Sequence, residues 1–240
     1  MIEGVLRRLK TLGRSSLRFR RTVVCPTELL GTPYGSYAIC PTFVDERSVV
    51  YCFGVGLDTS FDEELIARRG VTVHAFDPTP RSIEWLKSRA TSDHFVFHAW
   101  GIADFDGTAK FYPPTNPTHT SHTIVPSGSR AGAGIDVRVL RLQTTMQRLG
   151  HERVDVLKMD VEGAEYSVLK DVLASGVPVG QILIEFHHHR PGIAIATTQE
   201  AIDGLERAGY EMFHGDPRGY EFSFLRSDLA EVTREKIAPR

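Results

Sequence analysis

Ionisable side chains recur in this sequence where apolar runs of strand length come to an end. Asp77 follows the run 71–76, Asp160 and Glu162 follow 154–159, and Glu185 and His187 stand at the close of 181–186. An earlier run, Val49-Val50-Tyr51-Cys52-Phe53, leads into Gly54-Val55-Gly56-Leu57-Asp58. In an open α/β sheet ligands bind outside the carboxyl ends of the strands, so these residues are predicted to share one rim. Glycines at such a turn let bare backbone approach a ligand that any Cβ would obstruct. Asp77 falls about 20 residues beyond them, where a nucleoside-binding fold places its ribose-binding acid. Asp160, Glu162, Glu185 and His187 are of the types that move protons near neutral pH. The same four could also ligate Mg²⁺ or Mn²⁺, although no tight ligand spacing supports a metal.

The turn residues narrow the ligand. A dinucleotide fingerprint would need a third glycine at the position of Thr59. A pyrophosphate also needs a helix N-terminus free of acid, and Asp58, Asp62, Glu63 and Glu64 crowd this one. A cationic nucleoside such as S-adenosylmethionine tolerates those charges. The plainer alternative is an ordinary βαβ crossover whose glycines serve only the turn.

Alternating strands and helices must position these groups. The pattern predicts strands at 49–53, 71–76, 95–100, 154–159 and 181–186, with a further short extended piece at 108–112 and a strand at 137–140. Helices are predicted at 59–66, capped by Thr59 or Ser60, and at 81–89, 144–149, 162–173 and 198–208. Residues 210–213 and 220–225 flank Gly215-Asp216-Pro217-Arg218-Gly219 and read as a hairpin. The lead-in 23–42 is rich in Pro and Gly, with a hairpin at 32–39 expected to cover part of the site. Residues 113–134, rich in Pro, Gly, Ser and Thr and carrying His119 and His122, read as a lid.

Composition bounds the class. A chain of 240 residues, 41% hydrophobic and 24% charged, supports one well-cored α/β domain. A formal net charge of −2 gives no global field for nucleic acid, and no nucleic-acid partner is expected. Cys25, Cys40 and Cys52 have no metal or disulfide spacing, which suits reduced thiols in the cytoplasm. No apolar run reaches membrane-spanning length, and the start has no apolar secretory core. Residues 1–21 are locally basic with apolar residues at helical spacing, predicting a short amphipathic helix that docks or makes weak membrane-surface contact.

Lys158-Met159-Asp160-Val161-Glu162-Gly163-Ala164-Glu165 resembles the signature Lys-hydrophobic-Asp-hydrophobic-Glu-Gly-x-Glu of the FkbM-type S-adenosylmethionine-dependent methyltransferases. Ile184-Glu185-Phe186-His187 and the closing hairpin after Gly209-Tyr210 are similar to the same family, and the likeness extends over residues 49–225. The resemblance implies a class I methyltransferase fold: a seven-stranded, mostly parallel Rossmann-like sheet with helices on both faces and an antiparallel C-terminal hairpin. It implies that Phe53, Gly54, Val55 and Gly56 hold the amino-acid part of the donor and that Asp77 binds both ribose hydroxyls. Pro78, Gly101 and Ile102 would complete the nucleoside site, with Asp104 or the Ala103 backbone at the adenine amino group. Asp160 would sit near the ammonium or the transferred methyl. The family commonly has an acid where this chain has Cys52 and a small residue where it has Asp58, so Asp58 is the expected source of the displaced charge.

The chemistry so implied is methyl transfer to the hydroxyl of a small molecule such as a sugar, glycolipid or polyketide. The base is to be sought among His187, Asp160, Glu185 and Glu162, with His187 preferred for its neutral titration, or else held by a neighbouring backbone group. His188 and His189 are expected to be solvated or structural, while His119 and His122 would join the acceptor site. The expected organisation is a basic lead-in at 1–47, a methyltransferase domain at 48–226 and a tail at 227–240. A non-catalytic module retaining the fold is the alternative; a nicotinamide dehydrogenase is disfavoured by the missing glycine.

Overall fold

The protein is described by a computed structural model that covers residues 20–33, 35–89, 91–113, 122–124, 134–190 and 192–237. Residues 1–19 of the expected helix, and residues 114–121 and 125–133 of the expected lid with His119 among them, lie outside the described residues. The lead-in forms an antiparallel hairpin of β1 (Glu28–Leu30) and β2 (Tyr37–Ile39), a wider loop than the 32–39 hairpin expected. Its end is fastened to the sheet beneath, because the Cys40 N–H donates to Gln181 Oε1 at 2.7 Å and the Gln181 amide donates back to the Cys40 carbonyl at 3.0 Å.

The βαβ series then begins with β3 (Val49–Phe53), α1 (Ser60–Arg69), β4 (Thr72–Phe76), α2 (Pro80–Lys87) and β5 (Phe95–His98). These strands pair in parallel, and β3 and β4 run in register from Val49 opposite Thr72 to Phe53 opposite Phe76. The chain next leaves the sheet. β6 (Gly101–Ile102), β7 (Gly107–Phe111) and β8 (Ile135–Leu140) build a separate three-stranded sheet; the pieces at 108–112 and 137–140 are expected from the sequence, but β6 and the pairing of the three apart from the main sheet are not. After α3 (Leu142–Leu149), β9 (Val154–Met159) returns to pair with the other side of β3. The rest follows as α4 (Glu165–Ser175), β10 (Val179–Glu185), α5 (Ile195–Arg207), β11 (Tyr210–Gly215) and β12 (Glu221–Arg226). Residues expected as a tail instead form α6 (Ser227–Ile237).

The main sheet has seven strands in the order β11-β12-β10-β9-β3-β4-β5, with β12 antiparallel to both of its neighbours. It is the class I methyltransferase arrangement that the resemblance implied. Side chains alternate across β3: Val50 and Cys52 pack under the hairpin, Phe61 and Leu65, whereas Tyr51 and Phe53 pack towards Leu142, Val168 and Leu169. Central strands buried on both faces are therefore nearly continuous apolar runs. Chain order reverses between β3 and β9, and an open sheet has its binding crevice at such a switch point. No helix among the described residues is long and apolar enough to cross a membrane.

Candidate functional site

The turn after β3 is shaped by what faces it. Gly54 continues the β3–β4 ladder by donating to the Phe76 carbonyl at 3.0 Å, and Asp160 donates to the Phe53 carbonyl at 3.0 Å on the other side. The backbone of Asp160 thus lies directly against Gly54. The next link is Gly56, whose N–H donates to Asp77 Oδ2 at 2.9 Å. The other oxygen of Asp77 accepts from the Thr79 N–H at 2.8 Å and the Thr79 hydroxyl at 2.6 Å. Asp77 is buried with a fixed side chain, and since each carboxylate oxygen can accept more than one bond, it keeps acceptor capacity towards the crevice.

A cavity of about 250 Å³ occupies this crevice. Phe53, Gly54, Val55, Gly56, Asp58, Asp77, Pro78, Gly101, Ile102, Asp160 and Glu162 all line it, so most of the expected site residues are brought together. At one end Pro78, Gly101, Ile102 and Phe111 form an apolar slot; a Cβ added to Gly101 would sit 3.2 Å from the Pro78 ring. At the other end stand Gly35, Tyr37, Asp62 and Lys158. Tyr37 and Gly35 come from the lead-in hairpin, which thus lines part of the cavity.

Asp104 is a correction. It is exposed and does not line the cavity. The chain bends away after Ile102 to start the small sheet, and the Ala103 N–H is used by the Leu140 carbonyl at 3.1 Å. The neighbouring Asp106 tethers α3 by accepting from the Arg141 N–H at 2.9 Å and the Thr144 hydroxyl at 2.8 Å.

Asp58 needs a second correction. Its oxygens accept from the Thr32 hydroxyl at 2.7 Å and the Ser60 N–H at 2.8 Å. Asp58, and neither Thr59 nor Ser60, therefore satisfies the start of α1, and it ties the hairpin down. The Gly31 N–H donates to Glu64 at 2.7 Å, so the acids crowding this helix start dock the β1–β2 loop. Burial opposes ionisation of Asp58, but the bonds from Ser60 and Thr32 outweigh it and hold its carboxyl low. The carboxylate beside the Cys52 thiol belongs to Asp62, which is buried and raised by desolvation despite Lys158 nearby.

Below the tips of β9 and β10, Glu165 is fully buried and organises the octapeptide. Its Oε2 accepts from the Gly163 N–H at 2.7 Å, and its Oε1 accepts from the His187 N–H at 2.8 Å and faces His187 Nδ1 at 3.2 Å. Helix α4 starts at this residue and not at Glu162 as expected. Glu162 instead takes a left-handed φ of 57°, unusual for a residue with a Cβ. That conformation turns its carboxylate onto the Arg190 guanidinium and to within 3.2 Å of His187 Nε2. Its carbonyl accepts from the Thr123 hydroxyl at 2.6 Å. His122, beside Thr123, lines the cavity.

His187 is thus flanked by carboxylates on both ring nitrogens, with Asp160 Oδ1 a further 3.6 Å from Nε2. Burial works against its charge, but Glu165, Asp160 and Glu185 prevail and raise it to about 9. With protonation favoured in this way, Nδ1 faces Glu165 and Nε2 faces Glu162, and a protonated ring has no lone pair for a substrate proton or a metal. The preference for His187 as base does not fit this geometry. One ligand atom each of Asp160, Glu185 and His187 lies within 4.8 Å of the others, yet the ring enters that group as a donor. Neither Glu185 nor His187 lines the cavity; Glu185 stands behind Asp160, which does, with one of its oxygens within 4.8 Å of an Asp160 oxygen. Burial, then repulsion from Asp160, pushes Glu185 up to about 7, against the opposing pull of His187. His188 contacts the Thr198 hydroxyl at 3.2 Å and, like His189, packs on Tyr220, in keeping with a structural role.

Comparison with known proteins places this geometry. Residues 48–212 match the family model described as the Methyltransferase FkbM domain. Probable methyltransferase-like protein 24 of Rattus norvegicus is 27% identical over 175 residues, covering 69% of this chain and 42% of its own length. The chain thus spans less than half the length of that curated relative. Among solved structures, Methyltransferase FkbM from Methylobacillus flagellatus superposes with a TM-score of 0.47 at 15% identity, over 75% of this chain and 44% of that one. A Methanococcus jannaschii fibrillarin pre-rRNA processing protein gives a TM-score of 0.47 at 11% identity, covering 89% and 87%.

Proposed function

The chain belongs to the FkbM methyltransferase family, and from that premise we propose that it methylates a hydroxyl oxygen of a small molecule, with S-adenosylmethionine as donor. The observation that carries the reading is the crevice in which Gly56 and Asp77 are bonded to each other beside an apolar slot at Pro78, Gly101, Ile102 and Phe111. The slot suits a purine, Asp77 the ribose, and the Gly54 turn the amino-acid end. When bound, the donor supplies a methyl on a positively charged sulfur.

The chain's residues do the rest. The acceptor oxygen has to lie in line behind the methyl, with a base within reach of its proton. Glu185 is the proposed base, replacing His187. Glu185 would accept the acceptor's proton as a methyl passed from the donor's sulfur to the acceptor oxygen, the donor's positive charge being lost with the methyl. His187, held by Glu165, pairs with Glu162 on the wall of the site and places its positive field beside Asp160. That wall is acidic, which favours an uncharged acceptor over a phosphodiester and agrees with the low net charge. Cys25, Cys40 and Cys52 are free thiols, which suits the proposed cytoplasmic location.

Calorimetric titration with S-adenosylmethionine and S-adenosylhomocysteine tests the donor site directly, and failure of both to bind the folded protein removes the proposal. Incubation with the donor and a panel of sugars, glycolipids and polyketide alcohols then tests the reaction. The expected product is heavier by one methylene on oxygen; methylation only at nitrogen or carbon rejects the acceptor class.

A further inference from the structure

Lys158 is a charged residue near the end of a strand whose neighbours are all core. It is 6% exposed and lines the donor end of the cavity. Burying an ammonium is costly unless its charge and donors are satisfied. Burial alone would neutralise it, but the fields of Asp160, Asp62 and Glu185 keep it protonated. It forms no ion pair within 4.0 Å among the described residues, and its single hydrogen bond goes to the Gly54 carbonyl at 3.3 Å. Two of its three N–H donors are therefore unspent.

Tyr37 lies under the same ammonium, with Nζ 4.7 Å from the ring centroid. It is 3% exposed, lines the cavity, and burial keeps its phenol protonated. A buried cation and a buried phenol thus meet beside the glycine turn: Asp160, Asp62 and Glu185 act on the ammonium through their fields, but among the described residues no carboxylate stands within 4.0 Å of it.

We propose that Lys158, assisted by Tyr37, receives the α-carboxylate of the methyl donor, leaving Asp160 and the Gly54 carbonyl for its ammonium. The assignment rests on the methyltransferase reading and deepens it. It sets the orientation of the amino-acid end: the carboxylate points under the lead-in hairpin, and the sulfur faces the tips of β9 and β10. It also gives the hairpin a role, because Tyr37 reaches the site only from β2.

The test compares two ligands on the full chain by calorimetry: S-adenosylhomocysteine and its decarboxylated amine analogue. The wild-type protein is expected to prefer S-adenosylhomocysteine by about 10–100-fold, the range for loss of a charge-assisted hydrogen bond. Lys158→Met is expected to bind both ligands about equally, having lost only the carboxylate-dependent part, and Tyr37→Phe to lose a smaller share of the preference. Equal binding of both ligands by the wild type overturns the proposal, as does a Lys158→Met variant that weakens both by the same factor. The wild-type pair decides even if that variant fails to fold. Absence of any binding by the wild type strikes the methyltransferase reading itself, an outcome distinct from binding without discrimination.

Discussion

The Asp160 carbonyl oxygen lies 1.9 Å from where a Cβ on Gly54 would stand, so the tips of β3 and β9 touch through backbone at the crevice. Gly54 also has a φ of +88°, which residues with a side chain rarely adopt. Gly54→Ala is therefore expected to push β9 from β3, lowering the melting temperature and weakening S-adenosylhomocysteine by about tenfold or more, with strain of about 1–3 kcal/mol from the backbone alone. Gly176→Ala is the control: its φ is +67°, but nothing lies within 4 Å of the added Cβ. It should lose about 1 kcal/mol and leave binding unchanged. Equal effects of the two changes on binding would show that the contact with Asp160 is immaterial.

Asp77 joins the two halves of the proposed nucleoside site, holding Gly56 with one oxygen and Thr79 with the other. Asp77→Ala removes the ribose acceptor and leaves the Gly56 N–H without its partner. Two lost charge-assisted bonds predict affinity for S-adenosylhomocysteine lower by about 10²-fold, read by calorimetry. Thr79→Val removes only the hydroxyl bond and is expected to cost less than about tenfold. An Asp77→Ala protein that folds and binds normally refutes the assigned role.

The pH dependence of turnover separates the two candidate bases. Glu185, raised to about 7, must lose its proton to act, so kcat/KM is expected to rise with pH through about 7. His187, raised to about 9, must keep its proton to stay paired with Glu165 and Glu162, so activity is expected to fall through about 9. Because these groups interact, the two limbs belong to the cluster as a whole. Glu185→Gln should abolish the rising limb and lower turnover by about 10²–10⁴-fold with donor affinity kept. Were His187 the base, the rising limb would survive in Glu185→Gln and vanish in His187→Gln.

Glu165 has no exposure, and its two oxygens hold the Gly163 and His187 backbone and the His187 ring. Glu165→Ala leaves a buried imidazolium with one partner fewer, a change that costs about 3–5 kcal/mol. The expected fall in melting temperature is about 6–15 °C by calorimetry. Glu165→Gln should recover part of it, because the amide oxygen can still accept from backbone. A fall within a degree or two for Glu165→Ala would mean that the octapeptide is not organised by this residue.

The sheet was legible because central parallel strands write themselves as apolar runs, and the lining of the candidate cavity because their ends carried Gly54, Asp77 and Asp160. Residues whose role depends on where the chain goes next were not. Asp104 looked as good an acceptor as any until the turn after Ile102 carried it outward to the small sheet. His187 read as a base because its ordinary titration is near neutral, and only the fold placed Glu165 and Glu162 at its two nitrogens. Lys158, Asp62 and Tyr37 were passed over, although a lysine inside a run that is otherwise core was a signal. Tyr37 gave none, since its place depends on how a short hairpin packs.

Three histidines on the Tyr51 side of the sheet make the last prediction. His74 Nδ1 and His98 Nε2 are 3.1 Å apart, His151 Nδ1 meets the Tyr51 hydroxyl at 2.7 Å, and the His74 and His151 rings lie 4.9 Å apart. Burial lowers all three, and His74, which also feels the charges of His151 and His98, falls to about 4. The unfolded chain takes a proton on His74 near its ordinary 6.5, whereas the folded protein resists until about 4, so stability is lost as pH falls across that window. Glu185, raised in the fold, acts in the opposite sense between about 4.5 and 7, because there the folded state holds a proton that the unfolded chain releases. The wild-type curve alone therefore mixes the two, and the difference between wild type and His74→Phe isolates the histidine. The stability lost between about pH 7 and about pH 4.5, followed by denaturant unfolding, should be smaller for His74→Phe by about 1–2 kcal/mol after discounting for its half-buried position. Parallel falls in the two proteins would show that this pair carries its protons equally well folded and unfolded.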